Sequence, residues 1–323
     1  MKAAWDALVD AARGEPQVPG HVDHAAMAVI QLAAMSPHEV SAVLDEAALL
    51  VRTESLTSAA PIAMTGGALV ENGAPAEALA KALLERIPEV LSKAHDFAMA
   101  VDALDQSGPG DLAVGTWVGD RFAPDAWVQD RYQSHRDEVV AWHELRRFCL
   151  PLIAATTHDR VALNRLTLRP PGAPLDFLRH VEPHARFLYI LSRILLDAPL
   201  RFLDTESGRV FDLRVDAVPT NFELHTLLIG ALSEPLRLPE PDPEVLVCVR
   251  GSGPRQHLTP SRGAWALYTA NAFPALIAGM KVSMDDWVWN ESIPSEIPEV
   301  DGVRVLVAGV PNFDREWETG RTF

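Results

Sequence analysis

The spacing of apolar residues changes once along this chain, near residue 200, and that change restricts the fold more than any other feature. Before it, apolar positions recur every three or four residues, the period of a helix with one buried face. After it they alternate, as on a half-buried strand. The expected fold class is α+β. It comprises a helical N-terminal bundle over residues 1–105, an Arg-rich helical connector over 106–199, and a C-terminal α/β domain with a small mixed sheet over 200–323.

Local signals fill in this plan. Ser36-Pro37-His38-Glu39 reads as a capping box with proline in the first helical position. It opens a helix through about Val51 whose inner face is Val40, Val43, Leu44, Ala47, Leu50 and Val51. Residues 22–35 form a second helix. Residues 75–86 and 88–104 read as two more, each entered by a proline, with Thr65-Gly66-Gly67 and Asn72-Gly73 punctuating the connection before them. Gln106-Ser107-Gly108-Pro109-Gly110 is a breaker. Beyond it come a helix from about Arg136 to Ala154, a segment from His158 to Leu166, and a helix from Pro183 to Leu196. On the last of these, Phe187, Leu188, Ile190, Leu191, Ile194 and Leu195 face inward and Arg186, Tyr189 and Arg193 outward. Past residue 200, the alternating runs 200–204 and 210–215 predict a β-hairpin around Glu206-Ser207-Gly208. A helix over 221–232, strands over 244–250 and 303–310, and a short strand or helix plus a second helix within 263–278 complete the set, while the prolines of 293–302 protect a sheet edge or, as the competing reading, present a peptide-like strip to a partner.

Charge limits the partners. The net charge of −16 opposes general nucleic-acid binding and attachment to anionic membranes, because both repel the chain at long range. Residues 1–105 carry a net −9 and residues 201–323 a net −7, whereas residues 106–200 balance 11 acids with 11 arginines. The two cysteines, Cys149 and Cys248, sit in apolar runs and read as small buried hydrophobes. Asp6 interrupts the N-terminus before an apolar stretch forms, and the low-polarity run 25–35 is about half a membrane span, so a soluble cytoplasmic protein is expected.

Two constellations are candidates for recognition. Trp117-Val118-Gly119-Asp120-Arg121-Phe122 is echoed by Trp127-Val128-Gln129-Asp130-Arg131-Tyr132. Indole faces suit stacking on a sugar or peptide, with Asp and Arg as fixed hydrogen-bonding groups. The competing reading is two extended segments that share one packing solution. The second constellation is a pair of stripes: Arg136, His143 and Arg147 at helical spacing, and His180, His184 and Arg186 around the start of the later helix. If those helices are neighbours, their guanidinium groups can grip a phosphate or carboxylate. The competing reading is a solvated charged face with local partners such as Glu144 and Asp137.

Chemistry-bearing motifs are few. His21-x-x-His24 and His180-Val181-Glu182-Pro183-His184 are short clusters without a defined ligand geometry, and neither predicts a metal. Gly251-Ser252-Gly253-Pro254 is neither a nucleophile elbow nor a dinucleotide fingerprint. No cofactor is expected. The functional expectation is a soluble acidic interaction protein without catalytic activity: a scaffold, sensor subunit or neutralising partner that binds another protein, with neither nucleic acid nor membrane as partner. The alternative is an enzyme that holds an anionic small molecule in the central Arg/His groups, with His143 or His184 as general acid or base.

Overall fold

A computed structural model describes residues 1–14, 21–105, 115–118, 121–124, 136–204, 208–217 and 299–307, together with Leu224, Leu232, Pro235, Ser295, Ile297, 260–261 and 264–265. The fold is α+β, built as two compact units, Met1–Ser192 and Arg193–Phe323. The expected helix over 221–232, the strand over 244–250, the element within 263–278, Cys248 and the second Trp copy lie wholly or largely outside the described residues.

The first unit is helical. Its elements are α1 (Lys2–Arg13), α2 (His21–Met35), α3 (Pro37–Thr53), α4 (Leu56–Glu71), α5 (Glu77–Asp105), a short antiparallel pair β1 (Gly115–Val118) and β2 (Arg121–Pro124), and then α6 (Arg136–Thr157), α7 (Arg160–Leu168), α8 (Ala173–Leu178) and α9 (Pro183–Ser192). Helix α4 is buried along nearly its whole length and touches α1, α2, α3, α5 and α6. Its composition explains this position: small and apolar residues on every side leave no polar face to turn toward water.

The glycines expected to punctuate a connection, Gly66 and Gly67, are instead inside α4. A Cβ at Gly67 would lie 2.7 Å from Cβ and 2.8 Å from Cα of Pro151 on α6, and one at Gly66 would lie 2.9 Å from a methyl of Leu79 on α5. The glycines are there so that neighbouring helices can approach the α4 backbone. The helix tolerates their intrinsic cost of about 1 kcal/mol each because tertiary contact repays it.

Proline also behaves differently from expectation. Pro88 does not start a helix; α5 runs unbroken for 29 residues with Pro88 in its interior. Pro61 and Pro151 likewise sit within α4 and α6. Each forgoes one backbone hydrogen bond, a loss the flanking turns and the packing against neighbouring helices absorb. Pro37 does occupy the first turn of α3, but the Ser36 side chain makes no capping bond to it, so the capping-box geometry does not form. Ser55 takes that role on α4, its hydroxyl accepting the Ser58 N–H at 3.3 Å.

Arg86 on α5 closes the C-terminal end of α3, donating to the backbone oxygens of Arg52 at 3.4 Å and Glu54 at 3.2 Å. The Arg13–Glu54 and Arg52–Glu85 pairs, at 2.6 Å and 2.5 Å, tie α1 and α5 to the same end of α3.

The second unit contains a four-stranded mixed sheet. Strands β3 (Ala198–Asp204) and β4 (Arg209–Val215) form the expected hairpin, with Phe202 opposite Phe211. Strand β8 (Val303–Val307) runs parallel to β3 inside the sheet, and β7 (Glu299–Val300) forms the far edge. Asp301 and Gly302, both at positive φ, make the two-residue turn between β7 and β8. This Asp-Gly pair is a hairpin turn within the stretch read as a proline-set approach. Two further short strands, β5 (Pro260–Ser261) and β6 (Ala264–Trp265), pair antiparallel.

Candidate functional site

The central Arg/His groups sit on α6, at the end of α8 and on the first turns of α9. Helices α6 and α9 are neighbours in the first unit, so the condition for their stripes to meet is fulfilled. What brings them together is apolar: Ala141, Leu145, Phe148, Cys149 and Leu152 of α6 and Ala185, Leu188 and Leu191 of α9 are buried. Burying such a residue contributes about 1–3 kcal/mol, which holds the two helices against each other.

On α6, Arg136 is exposed in the first turn, whereas His143 and Arg147 are partly buried. Burial holds the His143 imidazole down at about 3, from an ordinary 6.5, so at neutral pH it brings no positive charge to this face. Glu144, a carboxylate in the interior, pairs with Arg147 at 3.4 Å. One of the two guanidinium groups of this stripe therefore already faces a carboxylate of its own helix.

At the start of α9 the polar groups form a compact cap. The Glu182 carboxylate accepts from the Ala185 N–H at 2.7 Å, and its other oxygen meets His184 Nδ1 at 2.7 Å. An acid here is favoured by the exposed N–H groups of the helix start. The same carboxylate approaches α6 closely enough to push the Cys149 thiol further up, in addition to the larger effect of its complete burial. Cys149 is thus the small buried hydrophobe its apolar surroundings suggest.

Arg186 is half-buried on α9, and His180 is exposed after α8. Tyr189, expected to face outward, is buried; the Arg179 guanidinium lies 4.1 Å from its ring centre. A cation over the ring face covers the phenol from water, which a helical-wheel argument about α9 alone does not anticipate. His95 of α5 meets Phe177 of α8 edge-on, with ring centres 5.1 Å apart. These residues are far apart in the sequence, and no local signal pairs them.

The Trp-containing element is split by what is described. Trp117 lies opposite Phe122 and Val118 opposite Arg121 in the β1–β2 pair, so the first copy is two extended segments. Trp127 and Arg131 lie outside the described residues. Among the described residues, no group of three or more His, Cys, Asp or Glu side chains is placed to hold a metal ion, and no helix is long and apolar enough to cross a membrane.

The structure therefore pairs Glu182 with His184 at the start of α9, buries Cys149 on the neighbouring α6, and leaves Arg136 and His180 at the surface. No family model, curated protein or solved structure matches the chain.

Proposed function

We propose that this protein is a soluble, cytoplasmic interaction protein without catalytic activity whose acidic outer surface receives a basic protein partner. The observation that carries the reading is the exposure of Asp10 on α1, Asp23 on α2 and Asp45 on α3, on helices of the most acidic third of a chain of net charge −16. Fixed carboxylates on rigid helices steer a cationic surface toward them and lose that advantage as salt screens the field.

The test is affinity capture on the immobilised full chain from its host lysate at low and at high salt. The expected result is a protein of net positive charge retained at low salt and released at high salt. Retention of no macromolecule under either condition overturns the reading.

A second reading, an enzyme acting on an anionic small molecule, is favoured by the contact between α6 and α9. In it Arg136, Arg147 and Arg186 hold the anion and His184, positioned by Glu182, exchanges the proton. His143, neutral and weakly basic, binds as an uncharged group. Saturable stabilisation of the melting transition by phosphate or a dicarboxylate, abolished in Arg147→Ala, distinguishes this reading from the first.

A further inference from the structure

Helix α7 carries an exposed face with two apolar residues among arginines. This helix is fixed at both ends. The Asp159 carboxylate accepts from the N–H groups of Val161 at 2.8 Å and Ala162 at 3.2 Å, and Arg169-Pro170-Pro171 ends the helix. Ala162, Leu163 and Leu166 are buried in the helical unit, where α7 touches α5, α6 and α9.

The opposite side carries two exposed apolar residues. Leu168 is 81% exposed and Val161 60% exposed. Seven residues apart on a helix, they lie almost directly above one another, about 10 Å apart along the axis. Advancing about 100° per residue, Arg160 and Asn164 fall on one side of this apolar pair and Arg165 on the other. Arg169 follows at the helix end, also exposed. Among the described residues neither Arg165 nor Arg169 has an ion-pair partner, in a molecule with a large excess of carboxylates. An apolar centre flanked by arginines on a preorganised helix has the composition of an interface core and its rim.

We propose that this face of α7 docks an acidic amphipathic helix of a partner protein, one that lays an apolar ridge over Val161 and Leu168 and sets carboxylates against Arg165 and Arg169. Charge complementarity selects that occupant. Nucleic acid would gain nothing from the apolar centre, and a phosphate lattice is repelled by the whole molecule. An anionic bilayer is repelled likewise, and two apolar side chains give a helix of this length little to insert. The proposal is independent of the basic-partner reading, which concerns other helices.

The experiment measures fluorescence anisotropy of a labelled helical peptide of about 20 residues, built from Leu, Ala and Glu with a leucine ridge between glutamates, titrated with the full chain. A peptide of the same composition in scrambled order is the comparison. The expected outcome is saturable binding of the ordered peptide, weakened about tenfold or more at high salt and by Arg165→Glu/Arg169→Glu or Leu168→Asp. Lys2→Glu/Lys81→Glu, an equal charge change elsewhere, leaves it unchanged. Circular dichroism and melting confirm that the variants fold, as substitution of exposed side chains allows. No binding, equal binding of the scrambled peptide, or equal weakening by the Lys2/Lys81 pair overturns the proposal. So does binding to phosphatidylserine vesicles, or self-association in sedimentation, that is lost with the same arginines. A variant lacking α7 binding but still capturing a basic partner separates this proposal's success from that of the acidic surface.

Discussion

The helical unit and the four-stranded sheet are stabilised in different ways. In the helical unit, the decisive contacts join residues far apart in sequence and depend on shape: Gly67 against Pro151, Gly66 against Leu79, and Arg86 on the carbonyls that end α3. In the sheet, most of what is described follows from neighbours in the chain: alternation places Leu200 and Phe202 on the buried face, and Asp301-Gly302 supplies the turn into β8. One region is specified by fit and the other by pattern. Their responses to substitution should differ accordingly.

The largest expected effect is at the α4–α6 contact. Gly67→Ala adds one methyl where the neighbouring atoms are backbone and ring carbons of a proline, which cannot swing aside. The helices must separate, and the expected loss is about 3 kcal/mol in urea unfolding followed by the far-UV helical signal. Gly208→Ala in the β3–β4 loop, where φ is 68° but nothing lies within reach of an added Cβ, costs only the backbone strain of about 1 kcal/mol. Equal effects at the two glycines would break the contrast between fit and pattern.

Acid provides the next test. His143 has its folded-state value depressed to about 3, so its proton binds the unfolded chain more tightly than the folded one. The stability this site contributes is complete above about pH 6.5 and declines as pH falls from there toward 3. Between pH 7 and pH 5 the helical unit should lose about 2 kcal/mol, and His143→Gln should flatten that slope. Glu89, whose pairing with Lys93 holds its carboxyl below the ordinary range, acts only at lower pH, so it does not mask the histidine in this window.

The legible part of the fold is the part specified by pattern. Alternation over 200–204 and 210–215, with Gly208 at positive φ between them, is enough to place the β3–β4 hairpin. Helices α2, α3, α6 and α9 also start within a residue or so of their sequence signals, because apolar periodicity survives without knowledge of the partner. What failed did so for tertiary reasons. Gly66 and Gly67 resemble a turn until α5 and α6 are seen against them. Pro88 resembles a helix start because the packing that supports an interior proline is invisible in a single chain. Tyr189 reads as exposed because the covering group, Arg179, comes from outside its helix. At the candidate site, the stripes on α6 and α9 were identifiable from spacing. The burial of His143 was not, since it depends on what covers α6, whereas the cap role of Glu182 is local, joining it to Ala185 three residues on.

A smaller effect belongs to helix ends, where local chemistry acts within the helical unit. Asp159→Ala removes the side-chain acceptor for two N–H groups at the start of α7 and should cost about 1 kcal/mol. The same substitution should weaken any ligand of the exposed α7 face by loosening its first turn. Binding that is unaffected while stability falls would locate recognition in the last turn, around Leu168 and Arg169.

The smallest effect is expected on the open face of the sheet. Arg201 and Asp212 face each other across β3 and β4 at 2.7 Å and 3.2 Å, yet they are 45% and 68% exposed. Water screens the pair, and ordering two long side chains offsets much of its attraction. Arg201→Ala should therefore leave the melting midpoint unchanged at high salt and lower it only slightly at low salt, measured on the full chain by calorimetry. Exchanging the two residues, Arg201→Asp with Asp212→Arg, should restore the low-salt value, because cross-strand register rather than residue identity sets the pairing. A loss from Arg201→Ala approaching that of Gly67→Ala would mean that this face is covered in solution and that the sheet, too, depends on fit.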